Sequence, residues 1–81
     1  MVTNLRLLRV HKGLTIRKVA TQLGFNESWY CRMERGQNYI PPHYRQKLAD
    51  FFGVPISEIC DEITGWPILV DMKMPKLVRK A

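Results

Sequence analysis

The sequence predicts an all-α fold of five short helices in one small domain, and three observations carry that prediction. Apolar residues recur at helical spacing: Ile16, Val19, Ala20 and Leu23 form the i, i+3, i+4, i+7 stripe of one helix face. Thr15 and Asn26, side chains suited to capping a helix start, stand just ahead of such stretches. All five glycines (Gly13, Gly24, Gly36, Gly53 and Gly65) fall where a predicted helix ends. Agreement between independent local signals is stronger support than any one of them.

The first helix is expected from about Thr3 to Lys12, with Leu5 and Leu8 on one face. Leu7 and Val10 fall off that face, so this short helix carries more apolar residues than one stripe needs. The second follows Thr15 and ends at Gly24. The third runs from about Glu27 to Arg35 behind Asn26. Phe25, before the cap, can meet Tyr30 in a hydrophobic staple, and Tyr30 and Met33 point inward. Pro41-Pro42 opens the fourth, because proline fits a first helical turn; Tyr44, Leu48, Phe51 and Phe52 form its apolar side. The fifth is expected to carry Ile56, Ile59, Cys60 and Ile63 on one face and to end at Gly65. That bounds a domain at residues 1–65 and leaves 66–81 as a C-terminal arm. Within the arm, Val70, Met72 and Met74 alternate with Asp71 and Lys73 between two prolines, the period of a short strand. A lone strand has no ladder partner in an all-helical domain. It is therefore expected to pair with a second copy, to pack as an extended arm, or to remain unstructured.

Composition narrows the function classes. A chain of 81 residues holds one domain with a small core. Its longest apolar run, Ile68-Leu69-Val70, is far too short to cross a membrane, and no targeting segment is evident, which gives a cytoplasmic expectation. Cys31 and Cys60 are too few for a disulfide framework and read as reduced, packed thiols. With His11 and His43 they show no ligand spacing, so no metal or other cofactor is expected. No catalytic triad, Gly-rich phosphate loop or paired carboxylates stand out, so an enzyme is not expected. The net charge is +6 and uneven. Residues 1–40 hold seven basic and two acidic side chains, residues 41–65 two and four, and residues 66–81 four and one. Positive charge thus gathers on the first three helices and the tail, which suits a polyanion.

Two helices joined by a short glycine turn, over Leu14–Gly36, are the helix-turn-helix arrangement. In it the second helix enters the major groove with its N-terminal side chains on base edges. Those here are Glu27, Ser28 and Arg32. Arginine can bond guanine bidentately, a carboxylate can accept from cytosine N4, and serine can bond either kind of base. Arg17, Lys18, Trp29, Gln37 and Asn38 are the candidates for the sugar-phosphate backbone, with Arg9 and Arg35 behind them. Glu34 fits a structural pairing better, since phosphate repels it.

Thr15, Val19, Ala20, Leu23, Gly24, Ser28, Arg32, Glu34, Arg35 and Gly36 together resemble the Cro/C1-type helix-turn-helix family of phage and bacterial repressors. The resemblance extends from about Leu5 to Ile63, through Gly13-Leu14-Thr15, Pro42, Leu48-Ala49 and Gly53-Val54. It implies a compact lambda-repressor-like domain that binds double-stranded DNA as a homodimer on a palindromic operator, usually to repress. It also implies a dimer contact near the fourth and fifth helices, where Phe52, Val54 and Ile56 lie; the alternating Val70, Met72 and Met74 are the other candidates. Where the family commonly has a phosphate-binding glutamine, this chain has Ile16. A second reading makes the chain an antitoxin-like component whose arm binds a partner protein.

Overall fold

Four helices form where capping and periodicity place them. The structure, a computed structural model, describes residues 2–70. Helix α1 spans Asn4–His11, with the Thr3 hydroxyl accepting from the Arg6 N–H. Helix α2 spans Ile16–Leu23 behind Thr15, whose hydroxyl accepts from the Lys18 N–H. Helix α3 spans Glu27–Glu34, and the Asn26 side chain accepts from the Trp29 N–H at 3.0 Å. Helix α4 spans Pro42–Phe52. At the turn between α2 and α3, Gly24 adopts φ +74°, a left-handed conformation that costs glycine little, and the Phe25 N–H reaches back to the Ala20 carbonyl. The core joins all four helices: Leu5, Val19, Ala20, Phe25, Tyr30, Met33, Ile40, Leu48, Ala49, Phe52, Ile59 and Cys60 are buried together.

The fifth expected helix is not an α-helix. Only Ile56–Glu58 makes a short 3-10 turn, so the all-α domain has four α-helices rather than five. The cause is local. The Asp61 carboxylate accepts from the N–H groups of Ile63 (2.8 Å) and Thr64 (2.9 Å), offering the backbone an alternative to helical bonds. The Ile59 carbonyl, which a helix would bond to Ile63, instead accepts from the Ile68 N–H at 3.1 Å. Ile59 and Cys60 remain buried, whereas Ile63 is 91% exposed and outside the expected apolar face.

The expectation of a strand without a partner in its own domain is also corrected. Strand β1 (Val2–Thr3) pairs antiparallel with strand β2 (Leu69–Val70), Val2 opposite Val70 and Thr3 opposite Leu69. The Asn4 N–H continues the ladder to the Ile68 carbonyl at 2.8 Å. Met72 and Met74 lie outside the described residues. Residues 66–70 are bonded to the helical body at further points: Asp61 N–H to the Trp66 carbonyl (2.9 Å), and a bridge between Cys60 and Pro67. The segment past Gly65 is therefore part of the folded unit as far as Val70. Of the surplus apolar residues on α1, Leu7 is half-buried and Val10 is 55% exposed.

Gly65 sits at the centre of these ties. Its φ is +82°, its carbonyl accepts from the Ile40 N–H at 2.8 Å, and a Cβ would meet the Arg45 guanidinium and approach the Ile40 carbonyl oxygen to 2.9 Å. Arg45 cannot swing aside freely, because its Nε donates to that same carbonyl at 2.7 Å. At Gly24 a Cβ would meet nothing within 4 Å. Gly24→Ala is thus expected to cost about 1 kcal/mol from backbone strain alone. Gly65→Ala is expected to cost about 2–3 kcal/mol, from strain plus displacement of Arg45. Thermal melting of the two variants checks this; equal melting temperatures would show that the packing at Gly65 gives way without penalty.

Candidate nucleic-acid interface

Helix α3 has two unlike sides. Tyr30, Met33 and Glu34 are buried, while Glu27, Ser28 and Arg32 are exposed on the face turned away from the core. These three residues line one shallow groove with Ile16, Cys31, Arg35 and Gln37. The structure thus brings together the three side chains expected at base edges and two expected at the backbone, Gln37 and Arg35. Ile16 and Cys31 give part of that groove an apolar lining, a feature that the periodicity of α2 and α3 does not reveal.

Arg17 and Lys18 are both exposed in the first turn of α2. Arg17 Nε lies 3.4 Å from the Glu27 carboxylate, linking the starts of α2 and α3. Both side chains are well solvated, so this pair orients Glu27 more than it stabilises the fold. Gln37 is exposed and Asn38 half-buried in the loop after α3. Trp29 is half-buried, packed edge-on against Tyr44 (centroids 4.9 Å apart) and Phe25 (5.8 Å), and serves as a side wall of the core.

Arg9 is engaged within the domain. Its Nε donates to the Glu34 carboxylate at 2.6 Å, with the two side chains only 13% and 2% exposed, and its Nη1 donates to the Leu14 carbonyl at 2.7 Å. The Thr3 hydroxyl donates to the Glu34 carbonyl. The structural pairing expected of Glu34 is therefore a buried tie between α1 and the far end of α3. Tyr30, also fully buried, has its hydroxyl near the Glu34 carboxylate but without a hydrogen bond of normal geometry among the described residues. Burial and the nearby Glu34 carboxylate push its pKa well above the usual phenol range, so the ring stays neutral.

The residues expected at a dimer contact differ in burial. Phe52 is in the core, 7% exposed, and its side chain is spent there. Val54 and Ile56 are partly buried against the core, and Val70 is half-buried in β2. Among the described residues no group of three or more His, Cys, Asp or Glu side chains could hold a metal ion, and no helix is long and apolar enough to cross a membrane.

A family model described as a helix-turn-helix domain matches residues 1–59. The cryptic phage CTXphi transcriptional repressor RstR of Vibrio cholerae is 33% identical over 60 residues, which cover 74% of this chain and 54% of the repressor. The chain thus spans about half the length of the curated relative it matches. No solved structure matches it. With two capped helices about a glycine turn, an exposed polar face on the second, and these matches over most of its length, the chain belongs to the helix-turn-helix family of the Cro/C1 type.

Proposed function

We propose that this protein is a sequence-specific DNA-binding transcription regulator, acting as a repressor. The observation that carries the reading is the α3 groove. Glu27, Ser28 and Arg32 stand together on the exposed face of a helix whose other face is locked into the core. Such a helix meets base edges with a defined orientation, because it cannot roll without breaking the core. The charge of the first forty residues, seven basic side chains against two acidic, attracts the phosphate backbone. The similarity to a phage repressor supports the same reading. A domain of this size covers few base pairs, so we further propose a homodimer on a palindromic site, its half-sites about 34 Å apart. Val54, Ile56 and Val70, with Met72 and Met74 outside the described residues, are candidates for the contact.

Selection of binding sites from random duplexes tests this. A palindromic consensus is expected; a protein that enriches no sequence would overturn the reading. Two variants then separate backbone from base contacts. Lys18→Ala is expected to weaken all sequences about equally and to lower the salt slope by about one. Arg32→Ala is expected to cost about 1–3 kcal/mol and to relax preference at one position of each half-site. If Arg32→Ala keeps the parent consensus and loses only affinity, Arg32 contacts phosphate instead.

A further inference from the structure

Beside the α3 groove lies a smaller cleft between α1 and α3, lined by Arg6, Arg9, Ile16, Cys31, Glu34 and Arg35. Ile16, Cys31 and Arg35 line both, so the cleft opens onto the groove. Its charges are unbalanced. The Glu34 carboxylate is satisfied by Arg9, which leaves Arg6 and Arg35, both exposed, and neither forms an ion pair among the described residues. The two cations, Arg6 in α1 and Arg35 at the C-cap of α3, line one recess next to the groove that would face DNA. A cation held near a like charge in a recess is stabilised by an anion placed between them, and guanidinium groups match phosphate oxygens in geometry. We infer that Arg6 and Arg35 form a clamp for a backbone phosphate of the bound duplex, so that α1, outside the helix-turn-helix pair, takes part in binding. The inference rests on the DNA-binding reading above. Arg9 has a separate part in it: its bond to Glu34 removes the one anion in the cleft that would repel the phosphate.

The test is the salt dependence of binding to the selected duplex, measured on the full chain with Arg6→Ala, Arg6→Lys and Lys12→Ala. Lys12 is also exposed and cationic but caps the opposite end of α1 and does not line the cleft. Arg6→Ala is expected to lower the salt slope by about one, so that its affinity deficit shrinks about three-fold between 50 and 200 mM salt. Arg6→Lys, which keeps a point charge, is expected to retain most of the slope, and Lys12→Ala to leave it unchanged. An unchanged slope in Arg6→Ala, or equal losses in Arg6→Ala and Lys12→Ala, would overturn the clamp: the first shows no contact, the second only net charge. Failure of the parent chain to bind any duplex would overturn the functional reading itself and is seen before any variant is made.

Discussion

Replacing Arg9 with methionine is expected to destabilise the domain by about 3–5 kcal/mol, because it leaves the Glu34 carboxylate buried without its partner. Methionine fills a similar volume, so the loss reports charge rather than a cavity. In a domain of this size that is a large part of the total stability. Chemical denaturation reads it directly, and a midpoint equal to that of the parent would mean that Glu34 is reached by water in solution. Changing both partners, Arg9→Met with Glu34→Leu, is expected to recover most of the loss, since an apolar pair replaces an ionic one. If the double variant is as unstable as the single one, the important bond is the other one Arg9 makes, to the Leu14 carbonyl. The pair also links stability to function, because it fixes the C-terminal end of α3 against α1 and with it the tilt of the helix that would face DNA.

Tyr30→Ala is expected to cost about 3–5 kcal/mol and to lower the melting temperature by about 15 °C or more. The side chain is completely buried, and its ring lies 6.2 Å from that of Phe25 across the start of α3. An unchanged melting temperature would place Tyr30 outside the core. Tyr30→Phe is expected to be neutral within about 1 kcal/mol, because the buried hydroxyl it removes makes no hydrogen bond of normal geometry. The two variants also differ in pH dependence. Burial, and after it the Glu34 carboxylate, makes the folded phenol hold its proton well above the ordinary phenol value of about 10. Its contribution is therefore fully present below pH 10 and is lost as the pH rises beyond it, because only the unfolded chain can ionise there. Tyr30→Phe is expected to remove that part of the alkaline loss, which unfolding measured at pH 9 and pH 11 detects.

Much of the candidate site is legible in the chain because it depends on local rules. A cap fixes where α3 starts, periodicity fixes which face is buried, and the remaining face must carry Glu27, Ser28 and Arg32 outward. The partners of Arg9 and Arg6 are not legible in the same way. The two residues sit three apart in α1 with equal charge, and nothing within α1 shows that one is buried on Glu34 while the other faces a cleft. Only the crossing of α1 over the end of α3 separates them.

The sequence by itself determined the four α-helices, their caps and turns, and the inward phase of Leu5, Val19, Tyr30, Met33 and Leu48, all of which follow from interactions within a few residues. Tertiary structure decided the two places where those rules misled, with a local Asp61 turn contributing at the first. Residues 59–65 carry a helical apolar pattern, yet the Ile59 carbonyl is claimed by Ile68 and the Asp61 side chain takes the nearby N–H groups, so the helix cannot propagate. Val2-Thr3 is too short to register as a strand and becomes one because Leu69-Val70 arrives beside it. A backbone hydrogen-bonding group takes whichever partner the folded chain brings within reach, and partners more than sixty residues apart leave no periodic trace in the sequence.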